Sequence, residues 1–207
     1  MRYPADHKHE TRRKILEAAT RQFKTHGISG AGVATIMKAA DLTHGGFYAH
    51  FSSKDELVRA VLRKSIEDAI GMWEERLAGL DDDAWLEGWV SHYLSDGHLE
   101  KHAEGCPVPP LVSELSRGED ALHEAFDAMA GSYVEMVAAR VAAPPEEARR
   151  RARAAIAISV GALSLARSIG KEQAHEYLEA AREGALDLLR GGRTTPEPRA
   201  DGSEEER

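Results

Sequence analysis

Apolar residues along this chain recur at helical spacing, and no segment alternates apolar and polar positions with the period of a strand. From Glu10 to His26, Ile15, Ala19 and Phe23 repeat every four residues, which predicts an amphipathic helix that ends at Gly27. Val33, Ile36, Met37 and Ala40 fall at i, i+3, i+4 and i+7, one stripe on a second, short helix that Asp41-Leu42-Thr43 breaks. Thr43 suits an N-cap whose hydroxyl accepts from the first backbone N–H groups of a third helix, and Phe47 and Phe51 anchor that helix inward. Two short helices meeting at a tight turn make a helix-turn-helix.

Beyond Ser52-Ser53 a long helix is expected, with Asp55 and Glu56 in its first turn, where the macrodipole favours anions. Leu62, Ile66, Ile70, Trp73 and Leu77 carry its stripe to about Ala78, so one rod joins the N-terminal module to the rest. Asp81 to Asp83 forms a turn and cap before a helix bearing Trp85, Trp89 and Tyr93. The prolines of Gly105 to Pro110 fix φ and are read as non-helical, with a short helix beginning at Leu111. A helix from Ala121 to Ala142 carries Phe126, Met129, Tyr133, Met136 and Val137 on one side. The next runs to Ile169, and its stretch from Ala154 to Leu163 is apolar nearly all round, which requires burial on more than one face. Gly170 separates it from a last helix, about Lys171 to Leu189. The expected fold is all-α: a helix-turn-helix domain over 1–52 with a loose polar arm over 1–9, a helical domain over 53–190, and a tail over 191–207. That tail lacks large apolar residues to offset its ordering entropy, so it is expected to be disordered.

Composition changes this picture mainly through charge. The net charge of −8 is wrong for a nucleic-acid binder until it is divided: residues 1–64 hold 12 Lys/Arg against 6 Asp/Glu, and the remainder holds 15 against 29. A basic N-terminal module beside an acidic body leaves one way to approach a phosphate backbone. No run of about 18 apolar residues suggests a membrane span, and the polar N-terminus argues against a secretory signal. A cytoplasmic protein is expected, in keeping with its single cysteine.

The chemistry concentrates on the third helix. Thr43, His44, Gly45, Gly46, Tyr48 and His50 surround its inward aromatics; the glycines admit a close approach of backbone to phosphate or base edge, and Thr43, Tyr48 and Lys54 can donate to phosphates. Thr35 and Lys38 on the preceding helix point to the same backbone, and base reading falls to His44 and its neighbours. The run Ala39-Ala40, Leu42-Thr43, Gly45-Gly46-Phe47-Tyr48-Ala49-His50-Phe51, then Ser53-Lys54-Asp55-Glu56-Leu57, resembles the TetR family of bacterial transcriptional regulators over roughly residues 8–64. Asp41 departs from the glycine usual in that turn, and Ala31-Gly32 stands where a Ser or Thr cap often occurs.

The resemblance implies a homodimeric regulator, most often a repressor, that binds a palindromic double-stranded operator and releases it when an effector tilts the rod. It implies a four-helix-bundle dimer interface, for which Ile158, Ala162, Leu165, Tyr177, Ala181, Ala185 and Leu188 are the candidates. It also implies an effector site, and Trp73, Trp89, Tyr93, Phe126, Met129 and Tyr133 are candidates to enclose an apolar or electrophilic molecule. The phrase Gly105-Cys106 with Glu114 looks like a subset that senses electrophiles or oxidants; His98, Lys101 and His102 would favour its thiolate, while an inert core cysteine is the competing reading.

Other sites are less well supported. His7 and His9 lie at i, i+2 and do not share a helix face, and His98 and His102 at i, i+4 lack a third ligand in phase, so no metal or cofactor is expected. An enzyme built on His92, His98, His102, Glu104 and Cys106 lacks an interpretable nucleophile and base, and a helical adaptor leaves the basic module unexplained.

Overall fold

In a computed structural model, which describes residues 5–101, 105–118 and 120–192, the chain is all-α. The described elements are α1 (Ala5–Gly30), α2 (Val33–Ala39), a 3-10 helix (His44–Ala49), α3 (Lys54–Arg76), α4 (Asp82–Tyr93), α5 (Asp96–Glu100), α6 (Val108–Leu115), α7 (Asp120–Ala138), α8 (Pro145–Ala166) and α9 (Lys171–Leu189). Residues 5–9, read from sequence as part of an arm, belong to α1. Most of the expected tail and two polar residues of the metal and enzyme readings, His102 and Glu104, lie outside the described residues.

Two apolar cores are strung on α3. Its N-terminal half, through Leu57, Val58, Val61 and Leu62, completes a core with Ile15, Ala19 and Phe23 of α1, Ile36 and Met37 of α2, and Phe47 and Phe51. Its far end sends Trp73, with Leu77 just beyond, into a second core among α4, α7, α8 and α9, and Ile66 packs against both. The start of α3 is fixed by a reciprocal cap: the Ser53 hydroxyl accepts from Glu56 N–H at 3.1 Å, and the Glu56 carboxylate accepts from Ser52 N–H and hydroxyl. The helix-turn-helix core is not closed by residues 1–52 and α3 alone, because Leu111, Leu115, Leu122 and Met129 of α6 and α7 are buried in it.

The proline-rich segment is more helical than its composition suggests. Pro109 and Pro110 sit in the first turn of α6, where a helix needs no N–H from them, and Pro107 caps it.

The contact between α1 and α6 depends on Gly27. At φ 74° and ψ 170° it interrupts α1 in a region that only glycine occupies readily. The chain turns there, and the next two N–H groups, of Ile28 and Ser29, donate to the carboxylate of Glu114 on α6 at 2.9 and 2.8 Å. Burial works to raise the Glu114 carboxyl, but the hydrogen bonds from Ser29 and Ile28 hold it below the usual glutamate range. One α6 side chain thus clasps the turn that leads into α2.

Candidate nucleic-acid interface

The turn between α2 and the 3-10 helix is set by Asp41, whose φ of 58° is left-handed. Aspartate tolerates that region better than most L-residues, which explains how the chain dispenses with glycine here. The element that follows is a 3-10 helix of six residues, not an α-helix. Thr43 stands at its N-cap in extended conformation as the sequence suggests, yet its side chain makes no capping bond; its carbonyl takes the Gly46 N–H at 3.0 Å instead. In a 3-10 helix the N-cap carbonyl accepts from the N–H three residues on, and that is the bond Thr43 makes.

Phe47 and Phe51 are buried and stacked at 5.7 Å between centroids, and Arg12 of α1 lies over the Phe51 ring at 4.4 Å. This fixes the inward face. Outward, Thr35, Lys38, Thr43, His44, Gly45 and Tyr48 are exposed together. Tyr48 is 65% exposed and meets Phe47 and His44 edge-on, which holds its ring upright. Gly46 and Lys54 are half-buried at the rim.

His50 does not sit with the outward set. Its Nδ1 is buried without a hydrogen-bond partner, and burial, with Lys8, Arg12 and His7 nearby, draws the imidazole below its usual pKa. It packs towards α1 and supports the surface more than it extends it. On α1, Arg13 is taken up by Glu10 and Glu17 of the same helix, which leaves Lys14 and Arg21 as exposed positions of the basic face.

The predicted effector residues do not line one space. Trp73, Trp89, Tyr93 and Tyr133 are buried in the second core, whereas Met129 is buried in the first and Phe126 packs against it. At the centre of the second core the Tyr133 hydroxyl accepts from the indole N–H of Trp73 at 3.0 Å and of Trp89 at 2.9 Å. The aromatics are therefore bound to one another. Tyr93 directs a buried hydroxyl without a well-formed partner toward Cys106.

Cys106 is half-buried, and burial pushes its thiol above the usual value despite Lys24 and Arg167 nearby. The expectation that neighbouring histidines favour its thiolate is corrected by His98, which is neutral here. The His98 Nε2 accepts from Cys106 N–H at 2.9 Å and its Nδ1 lies 2.7 Å from the Tyr93 carbonyl, an arrangement that needs the proton on Nδ1. Burial draws this imidazole down to about 4. Between the ordinary histidine value and about 4 the unfolded chain therefore binds the extra proton and the folded chain does not, so stability falls as pH falls through that window. We expect denaturant melts of the parent at pH 7 and pH 5 to differ by an amount that His98→Gln largely removes; equal pH slopes for the two proteins would refute this.

Neither metal reading gains a third ligand among the described residues. The dimer candidates divide. Leu165 and Tyr177 are 51% and 47% exposed, and Ile158 and Leu188 are half-buried, but Ala162, Ala181 and Ala185 are buried inside the core shared by α8 and α9. The stripe read on the last helix runs along its inner edge, because small residues there let α8 and α9 approach closely. No described helix is long and apolar enough to cross a membrane.

Comparison with known proteins places these features. Residues 15–61 match the profile of bacterial regulatory proteins of the tetR family. The chain is 36% identical over 81 residues to the transcriptional repressor KstR2 of Rhodococcus jostii, a match that covers 39% of this chain and 40% of that one. It is 28% identical over 138 residues to the transcriptional regulator LmrA of Bacillus subtilis, covering 61% and 70%. Among solved structures, a TetR transcriptional regulator from Chloroflexus aurantiacus superposes with a TM-score of 0.74 at 24% identity over 90% of this chain and 98% of that one. The reduced form of Escherichia coli NemR gives 0.72 at 20% identity over 91% and 100%. The profile falls on the helices that build the exposed surface around Tyr48, so residues 15–61 are similar to the tetR family of bacterial regulatory proteins, and the likeness in fold extends over the rest of the chain.

Proposed function

We propose that the chain is a dimeric repressor that holds a palindromic operator through Thr35, Lys38, Thr43, His44, Gly45, Tyr48 and Lys54, and releases it in response to a small-molecule effector or to modification of Cys106. The observation that carries the DNA reading is the bare backbone at Gly45. A Cβ added there meets nothing within 4 Å and the residue has no positive φ, so the fold does not require glycine. Gly71, Gly131, Gly161 and Gly184 are equally open, so it is the place of Gly45 among the exposed Thr43, His44 and Tyr48, within the stretch that matches the tetR profile, that points to something approaching from outside. The basic balance of residues 1–64 makes that something polyanionic.

Gly45→Ala should therefore leave thermal stability unchanged or slightly raised and weaken operator binding at least about tenfold, which is roughly 1.4 kcal/mol. Parent protein that shows no salt-dependent affinity for the DNA flanking its gene in filter binding would end the DNA reading.

Dimerisation is supported by Leu165 and Tyr177, large apolar side chains exposed on α8 and α9. A two-fold dimer presents its recognition elements about 34–36 Å apart, matching half-sites one DNA turn apart. Light scattering should give twice the chain mass, and a monomer at micromolar concentration contradicts the proposal.

Release needs only an effector that prefers the non-binding spacing of the two surfaces by a few kcal/mol. The rod α3 and the Glu114 clasp offer two connections from the body to the surface. Of the two triggers, modification of Cys106 must work on a half-buried thiol whose ionisation burial opposes, so the reversible ligand is favoured. Retained release by an electrophile in Cys106→Ser would exclude the cysteine route.

A further inference from the structure

Arg167 of α8 is half-buried, and among the described residues no carboxylate is paired with it. Its Nη2 donates to the His98 carbonyl at 2.7 Å, while its Nε is buried without a partner. Arg13, Arg140, Arg149, Arg150, Arg151 and Arg190 each meet a carboxylate within 3.1 Å, but no carboxylate pairs with Arg167 among the described residues. Withdrawing a guanidinium from water without a counter-charge is unfavourable, and burial draws this one below the usual arginine range.

The same side chain lines a crevice of about 320 Å³, whose other walls are Lys24 of α1, Pro109 and Pro110 of α6, and Ser164 and Ser168 of α8. That volume lies at the lower end of small-molecule sites. We infer that this crevice binds a small organic carboxylate, its anionic group set against the Arg167 guanidinium. A carboxylate matches the planar donor fork, and the proline wall gives an organic remainder an apolar surface that inorganic phosphate cannot use.

The position gives the site a consequence. It joins α1 to α6 and α8, so a molecule lodged there bears on the α1–α6 contact that Glu114 closes a few residues away. That regulatory part rests on the DNA-binding reading above, whereas carboxylate binding does not.

The test uses full-length protein in calorimetric titrations with benzoate and hexanoate, their primary amides, and inorganic phosphate. We expect a carboxylate to bind, its amide to bind at least about tenfold more weakly, Arg167→Gln to lose about tenfold or more, and Arg167→Lys to recover much of it. Recovery by lysine distinguishes lost charge from damaged folding, which melts of both variants check directly. Equal binding of carboxylate and amide, parental affinity in Arg167→Gln, or no heat with either acid up to about 10 mM would overturn the site. Phosphate binding as tightly as both acids would overturn the organic class. Operator affinity is measured with and without bound carboxylate. If it does not change, the site stands and its regulatory role falls; if the protein never binds DNA, the proposed function falls and the titration still decides the site.

Discussion

Tyr133→Phe is expected to destabilise the protein by about 2–6 kcal/mol, although it removes one oxygen atom and leaves no cavity of consequence. The reason lies in what the hydroxyl accepts. Both indole N–H groups, of Trp73 on α3 and Trp89 on α4, converge on that single oxygen from α7. Trp73, Trp89 and Tyr133 are 3%, 0% and 9% exposed, so water cannot replace the lost acceptor. An unsatisfied buried donor costs about 1–3 kcal/mol, and this change makes two. In a chain of this size the loss corresponds to a fall in Tm of about 4–24 °C, measured at one fixed protein concentration because a dimer's Tm depends on it. A change under about 2 °C would mean that the indoles find other acceptors and that the three-element node is not a fixed joint.

Glu114→Ala should have the second large effect, and it should appear in two assays. Losing two hydrogen bonds to a carboxylate at the turn after Gly27 should cost about 1.5–3 kcal/mol, with the partly exposed site keeping it to the low end. Because the folded carboxyl lies below the usual glutamate range, its contribution is present at neutral pH and disappears as pH falls through the depressed value. The difference between parent and variant should therefore shrink in acid. The second assay is DNA binding: with the clasp open, α6 no longer fixes the start of α2, and operator affinity should fall or cease to respond to effector. Glu114→Gln keeps one accepting oxygen and should lie between the two. A variant with reduced stability, unchanged operator affinity and an unchanged effector response would make the clasp a structural contact alone.

The sequence by itself determined the all-α class, the placement of the helices and the position of the recognition element, because these rest on local signals. The period of Ile15, Ala19 and Phe23, the acidic first turn of α3 and the glycines beside Phe47 are each legible within one or two turns of chain. Where the sequence reading failed locally, a neighbouring geometry had replaced the expected one. Thr43 makes no side-chain cap, and the element it begins is 3-10; Pro109 and Pro110 begin α6 because a first turn needs no donors from them.

Only the tertiary structure decided what the long-range pairs do. Apolar spacing cannot say which core a stripe enters, so Met129 and Tyr133, one turn apart on α7, were grouped together although they end in different cores. Nor could it separate the inner face of α9 from its exposed face, since alanines serve either. The contacts that join distant helices, Glu114 with Ile28 and Ser29, and Tyr133 with Trp73 and Trp89, span 44 to 86 residues of sequence. Hydrogen bonding at that range leaves no periodic trace along the chain. The surroundings of Arg167 are hidden for the same reason, since which groups meet its guanidinium depends on helices far apart in the sequence.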